Sequence, residues 1–371
     1  MAHSIHSYTL DFNRKERLKS MKIKYISTIV VFLLIISTIC ITGFALSDKE
    51  ISFSERRPLS QFSDVTKTSI FSSKCSTDFE KYMLDQTAFR EPLRKVKAFF
   101  DYNILLKKDN NDIYRVGDYL SKIEYPLKDK QVLYCADKIN EVNSLYLGGM
   151  NVYYSIIPDK NYFLAENNNY PTLDYKKLVS LMNENVKNAK YIDIFDALTL
   201  ESYYKTDTHW KQTEINEVLT RLTNGMNVPK SSVDSLQTKT LEPFYGVYYG
   251  QAALKMKPDE ISYLTNENLD KMTATNPVTK EEFKVYSPEK LSAIDGYEVF
   301  LSGAQSLIEI KNGRAKTDRE LIIFRDSFSS SLAPLLTDYY SKITLVDLRY
   351  IKTSELPKYI EFKSQDVLFL Y

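Results

Sequence analysis

The sequence predicts an α/β protein, with a mostly parallel sheet flanked by helices and one insertion, behind an N-terminal transmembrane helix. Three observations predict it. Residues 25–47 form an uncharged run of 23 positions, long enough to cross a bilayer, and Arg14, Lys15, Arg17, Lys19, Lys22 and Lys24 precede it. From residue 112 onward, short apolar runs alternate with amphipathic stretches, the pattern of buried strands joined by helices. Residues 229–303 break that alternation with short Tyr-rich and Pro-interrupted pieces, and so read as an insertion.

In chain order, the basic flank leaves residues 1–24 cytoplasmic and exports everything after the anchor at 25–47. Ala45-Leu46-Ser47 also has the small residues of a signal-peptidase site, but the apolar run is longer than a usual signal core, which favours a retained anchor. Residues 48–111 read as an extracytoplasmic linker and helices: a polar, proline-containing linker over 54–62, then helical spacing over 78–90 and 93–106, broken at Pro92. Residues 109–112 are a turn, and 113–116 with 119–120 make a hairpin around Gly117-Asp118. The α/β domain spans 112–371. Within it we expect helices over 129–147 and 175–189, strands over 151–157 and 190–194, and a helix after His209 closed by Gly225. Near the end come strands over 320–325, 342–347 and 365–370, with a helix over 328–340 between the first two.

Composition removes several function classes. A chain of 371 residues with 43% apolar content and a net charge of +1 is a folded body with no electrostatic footprint for nucleic acid. Cys75 and Cys135 are the only thiols beyond the anchor, and their spacing implies neither a disulfide framework nor a redox pair. With one exported histidine and no cysteine pair, a multi-histidine or thiolate zinc site cannot be assembled; a carboxylate metal site stays open. No motif asks for a cofactor. The 28 tyrosines read mainly as core and surface filler.

The chemistry-bearing stretch is Lys205-Thr-Asp207-Thr-His209-Trp210. Of three histidines, His3 and His6 precede the anchor, so His209 is the one imidazole available as a general base beyond it. Asp207, two positions earlier, stands where a short turn lets its carboxylate accept from the ring N–H. Asp207 or Thr208 would equally serve as an N-cap, because Ile215, Val218, Leu219 and Leu222 share one face of a following helix. The candidate nucleophile is Ser327, at the sharp turn between the 320–325 strand and the next helix, where ligands meet a parallel sheet and helix-start N–H groups can hold an oxyanion. Asp326 or Ser327 would also cap that helix, and Ser329, Ser330 and Ser331 follow closely.

Arg325-Asp-Ser-Phe328 resembles the Gly-Asp-Ser block of the SGNH hydrolase superfamily, with arginine for the glycine. Asp207-Thr-His209-Trp210 is similar to the Asp-His-His-Trp signature of the DHHW family, with threonine for the first histidine. Glu55-Arg-Arg-Pro-Leu59, Asp85-Gln-Thr-Ala-Phe-Arg90, Pro158-Asp-Lys160, Phe244-Tyr-Gly246, Asp347-Leu-Arg-Tyr350 and Asp366-Val-Leu-Phe-Leu370 match in the same order, and that shared order carries the resemblance. It extends to the SGNH-like domains of alginate and exopolysaccharide O-acetyltransferases, in which Asp and His come before Ser. The resemblance implies an SGNH hydrolase-like, flavodoxin-like sheet, with Ser327 as nucleophile, His209 as general base and then acid, and Asp207 as its orienter. The family's oxyanion blocks have no unambiguous match; Gly303 and Asn312 are placeholders.

The function so implied is a membrane-anchored, extracytoplasmic O-acetyltransferase of a cell-surface or secreted polysaccharide, working through an acetyl-serine intermediate. Its partners would be the polysaccharide acceptor and a membrane-bound O-acyltransferase that supplies acetyl from across the membrane. The same three residues would also serve a carbohydrate esterase. A non-catalytic glycan-binding or scaffolding module of an export complex is the remaining alternative.

Overall fold

The computed structural model describes residues 2–62, 73–230 and 235–371. The chain divides into two compact units, Met1–Ser52 with Arg57–Lys97 and Phe53–Arg56 with Ala98–Tyr371.

In the first unit the helix Ala2–Ala45 contains a 27-residue segment, Arg17–Gly43, that begins in the basic flank and is long and apolar enough to cross a membrane. The expected extended linker is instead a hairpin. Ile51–Ser52 pairs antiparallel with Arg57–Pro58, because the buried Asp85 takes both arms of the Arg57 guanidinium at 2.6 and 2.9 Å and the Ser60 N–H at 3.0 Å. Residues 63–72 of the expected 48–111 segment lie outside the described residues. The two expected helices run over Ser73–Gln86 and Arg90–Asn103, with Pro92 in the first turn of the second, where its missing N–H had no intrahelical partner to lose.

The second unit opens with an antiparallel meander, Asp109–Asn110, Ile113–Val116 and Tyr119–Lys122, whose last turn uses Gly117 at φ 56°. Its main sheet has eight strands: β1 Asn151–Ser155, β2 Lys190–Tyr191, β3 Thr273–Thr275, β4 Glu282–Lys284, β5 Leu307–Lys311, β6 Glu320–Arg325, β7 Lys342–Val346 and β8 Asp366–Leu370. The order is β4-β3-β5-β7-β6-β8-β1-β2. From β7 to β2 every pairing is parallel, and β5, β3 and β4 extend the sheet antiparallel. The last strand sits between β6 and β1, so the parallel strands do not follow the flavodoxin order, in which they run outward in sequence from the switch point. Apolar burial explains the placement: Val367, Leu368, Phe369 and Leu370 are all buried, which requires a strand paired on both edges and covered on both faces.

The two faces of the sheet feed two cores. Leu321, Ile323, Ile343, Leu345, Leu368 and Leu370 pack with Trp210, Val218, Leu222 and Leu332. Ile322, Phe324, Val346, Val367 and Phe369 pack on the other side with Val132, Ala136, Ile139 and Val142 of the Asp129–Tyr146 helix. Each of the Val, Leu, Ile and Phe side chains among them stabilises the fold by about 1.5–3 kcal/mol on full burial.

Several elements are shorter than their apolar patterns. The strand expected at 190–194 ends at Tyr191, since the Asp193 carboxylate accepts the Phe195 N–H at 3.0 Å and turns the chain into a 3₁₀ turn. The helix expected over 328–340 is Ser329–Leu336, closed by the Thr337 hydroxyl on the Pro334 carbonyl at 2.6 Å. The stretch expected as an insertion adds two strands at one side of the sheet, β3 and the edge strand β4, and a separate hairpin, Gln237–Phe244 with Asp259–Thr265. Residues 231–234 of that stretch lie outside the described residues.

Candidate active site

The stretch containing His209 is a tight hairpin. Tyr203 and Trp210 face each other across an antiparallel bridge, the Tyr204 N–H donates to the His209 carbonyl at 3.1 Å, and the Lys211 N–H donates to the Ser202 carbonyl at 2.7 Å. The following helix begins only at Asn216, after a 3₁₀ turn, so neither Asp207 nor Thr208 is its N-cap. Freed from capping, the Asp207 carboxylate closes onto its own hairpin. Its Oδ1 lies 2.5 Å from His209 Nδ1 and 3.1 Å from the His209 N–H, while Oδ2 accepts the Val247 N–H at 2.8 Å and meets Arg56 Nη1 at 3.5 Å.

Ser327 follows β6 at its carboxyl end. The Asp326 carboxylate accepts the Phe328 N–H at 3.0 Å and fixes the turn, and the helix start at Phe328 has no side-chain cap. The Ser327 hydroxyl is therefore not spent on capping; it lies 2.7 Å from His209 Nε2. Asp207, His209 and Ser327 thus form one continuous hydrogen-bonded line. The three residues singled out in the sequence, 118 positions apart at the widest step, come together as a unit.

Residues that the sequence reading did not assign hold this line in place. Tyr297 stacks flat on the imidazole, with ring centroids 3.7 Å apart and planes 3° from parallel, and its hydroxyl donates to Ser331 Oγ at 2.8 Å. Trp210 donates its indole N–H to the same Oγ at 2.9 Å and to the Phe328 carbonyl at 3.1 Å, tying the histidine hairpin to the serine turn. Arg56 is itself held by Asp295 at 2.8 Å and by the Tyr245 carbonyl at 2.7 Å. Asp259 takes the Lys205 N–H at 2.8 Å and the Thr206 N–H at 2.7 Å. Arg56, Lys160 and Gly246 fall inside the matched blocks, so their positions were marked in the sequence though their roles were not. Tyr297 and Asp259 sit in the stretch that carried no periodic pattern, and only the tertiary fold brings them to His209.

Burial works to raise Asp207, but the His209 ring bonded to it and the Arg56 guanidinium outweigh that effect and hold the carboxyl below the usual carboxylate range. It stays ionised at neutral pH, ready to accept from Nδ1–H and to stabilise an imidazolium. Burial pushes Asp326 up against the pull of the Phe328 N–H. Tyr297 is pushed far up by burial, so it contributes a neutral ring and a hydroxyl donor.

Both oxyanion placeholders make their described hydrogen bonds to groups other than Ser327. The Gly303 N–H is directed at the Phe300 carbonyl at 3.4 Å. Asn312 follows β5, which runs antiparallel to β7 and ends opposite its first residue, Lys342, so it lies at the amino ends of the parallel strands, where its amide donates to the Thr337 carbonyl at 2.9 Å. Arg325, which stands where the Gly-Asp-Ser block it resembles has glycine, is buried and donates to Ser330 Oγ at 2.8 Å and the Asp326 carbonyl at 3.2 Å. A cavity of about 910 Å³ opens at the carboxyl ends of β1, β7 and β8, lined by Tyr134, Tyr154, Asp347, Arg349 and Tyr371 among others; neither Ser327 nor His209 lines it. Among the described residues no group of three or more His, Cys, Asp or Glu is arranged to hold a metal ion.

No protein-family model matches the chain, and no curated protein matches it. Solved structures do. A DHHW family protein from Eubacterium siraeum aligns at TM-score 0.58 and 20% identity, over 71% of this chain and 91% of that one. Bacillus cereus PatB1 with a sulfonyl adduct aligns at TM-score 0.56 and 16% identity, over 71% of this chain and 95% of that one. This chain shares their fold. The resemblance carried by its scattered sequence blocks is thus matched by a resemblance in three dimensions, over nearly the whole length of those relatives.

Proposed function

We propose that this chain is a membrane-anchored, extracytoplasmic O-acetyltransferase of a cell-surface or secreted polysaccharide, with an SGNH hydrolase-like Ser327-His209-Asp207 triad. The observation that carries the reading is the unbroken line from Asp207 through His209 to the Ser327 hydroxyl, with contacts of 2.5 and 2.7 Å. A hydroxyl 2.7 Å from an imidazole that is oriented by a buried carboxylate is an activated nucleophile. That Bacillus cereus PatB1 was solved with a sulfonyl adduct also supports it, since sulfonyl reagents mark activated nucleophiles.

In the first half-reaction Ser327 Oγ attacks the acetyl carbonyl of a donor ester while His209 Nε2 takes its proton. The donor C–O bond breaks and the proton passes to the departing alcohol, leaving acetyl-Ser327. In the second half, His209 takes a proton from a sugar hydroxyl, the sugar oxygen attacks the acetyl carbon, and the Ser327 oxygen leaves and is reprotonated. The donor side of the reaction calls for a membrane-bound O-acyltransferase as partner, because the acetyl group must cross the bilayer.

The test uses the full chain in detergent with a small acetyl ester, measuring released acetate and acetylated oligosaccharide separately. Ser327→Ala and His209→Ala should each remove nearly all turnover, and the double variant should be little worse than either, because members of one proton-transfer chain are not additive. Mass spectrometry should find acetyl on Ser327. Acetate without acetylated sugar would make the protein an esterase, and an unmodified Ser327 with no turnover would leave a binding module.

A further inference from the structure

We infer that Lys160 is a positioning residue for the Asp207–His209 pair: its ammonium gathers the backbone carbonyls of the hairpin and so sets where the imidazole meets Ser327. The inference rests on the triad reading above. Lys160 is 1% exposed and lies outside the proton-transfer line. Its Nζ donates to the carbonyls of Tyr204 at 2.7 Å, Lys205 at 3.2 Å and Asp207 at 2.6 Å. Three donors meet three acceptors, all within four consecutive residues.

Burying an ammonium costs several kcal/mol, and an apolar side chain of the same length would fill the space without that cost. What the charge supplies is specific to the hairpin. Carbonyls converging on one point repel each other unless a cation sits between them, and one of these carbonyls belongs to Asp207, whose side chain orients His209. Asp259 does the complementary work, taking the N–H groups of Lys205 and Thr206. One buried cation thus fixes the acceptors of the hairpin, and one buried carboxylate fixes its donors.

The groups facing the ammonium are Asp207, Asp259 and Asp159, which favour its charge, and Lys211, which opposes it. The rings of Tyr248 and Tyr119 stand 5.2 and 6.0 Å away. Burial outweighs the carboxylates and brings Lys160 down to about 7. A neutral amine has two N–H groups for three carbonyls, so the grip loosens on the alkaline side.

The test follows His209 directly. With three histidines in the chain, ¹⁵N-histidine labelling of the full protein in detergent gives few signals, and a His209→Gln control assigns the downfield Nδ1–H proton bonded to Asp207. In Lys160→Met that proton should move upfield or broaden. Turnover of the acetyl ester should fall about tenfold to a hundredfold in kcat with KM changed by about twofold or less. The alkaline fall of wild-type kcat above about pH 7 should be flat in the variant. Lys160→Gln should show the same pattern. A wild-type proton signal and wild-type kcat in either folded variant would overturn the inference. Unfolding of both variants would overturn it too, by making Lys160 a support of the whole fold. Ser327→Ala separates the two readings: it should lose turnover yet keep the Nδ1–H signal, so full activity in that variant would sink the triad while the proton signal still decides the role of Lys160.

Discussion

A Cβ built on Gly246 would sit 2.3 Å from Asp207 Cβ and 2.4 Å from its N and Cα. No real side chain tolerates that approach, and the obstacle is backbone, which cannot swing aside. Gly246→Ala should therefore push Asp207 away from His209. We expect about a hundredfold loss in kcat and a destabilisation of about 1–3 kcal/mol, read from ester turnover and a denaturation midpoint. Wild-type kcat in a folded Gly246→Ala protein would show that the hairpin does not need this close approach. At this scale the sequence displayed the pairing of Asp207 with His209, because two residues on one turn are close whatever the rest of the chain does. Tyr297 and Arg56 were not legible, since a stacked ring and a second-side cation depend on segments brought in from far along the chain.

Among the elements, the serine turn and the histidine hairpin are joined through Trp210. Its indole N–H bridges the Phe328 carbonyl and Ser331 Oγ, and that Oγ also accepts the Tyr297 hydroxyl. Trp210→Phe keeps an aromatic ring but leaves these acceptors a donor short. It should cost about 1–3 kcal/mol in stability and lower kcat more than KM, because the step that suffers is the registration of His209 against Ser327. An unchanged melting midpoint would argue that the indole N–H is dispensable. The strands around Ser327 were legible because β6, β7 and β8 bury apolar residues on both faces, which leaves an unbroken apolar run in the sequence. Their ends were not, because local side-chain bonds such as Asp193 to the Phe195 N–H terminate an element without altering its apolar pattern. The strand order was equally hidden, since apolar runs say which strands are central but not which neighbour each one takes.

The first unit carries its own pH dependence. Burial would raise Asp85, but its bonds to Arg57 and the Ser60 N–H, with the charges of Arg57 and Arg90, hold it at about 2. A depressed carboxylate adds stability above its unfolded value, and that contribution is lost as pH falls towards the folded value. The window here runs from about pH 4 down to about pH 2. Arg57 is 41% exposed, so solvent screening limits the effect to about 1 kcal/mol. Asp85→Asn should lower the urea midpoint at neutral pH and flatten its acid dependence, and equal acid dependence in the two proteins would remove the carboxylate from the account. The same contact joins two of the blocks that carry the sequence resemblance: Glu55-Arg-Arg-Pro-Leu59 supplies the arginine and Asp85-Gln-Thr-Ala-Phe-Arg90 supplies the carboxylate that binds it.

For the whole molecule the deciding feature is the N-terminal helix. Its uncharged run of 23 residues, 25–47, would span about 35 Å at 1.5 Å per residue if helical throughout, more than the ~30 Å hydrocarbon core of a bilayer and enough to cross it with tilt. Ile26, Ile29, Phe32, Leu33, Leu34 and Ile35 are exposed along it, so the described chain offers these side chains no apolar cover of its own. Under the proposed membrane anchoring, lipid would supply that cover. Lys and Arg before the span and the candidate site after it then predict an orientation with Ser327 outside the cytoplasm. Protease added to intact cells should degrade the 98–371 unit while a cytoplasmic marker survives, and an epitope placed before residue 17 should become accessible only after permeabilisation. Protection of the 98–371 unit in intact cells would reverse the orientation, and with it the proposal that the acetyl group must cross the bilayer to reach Ser327.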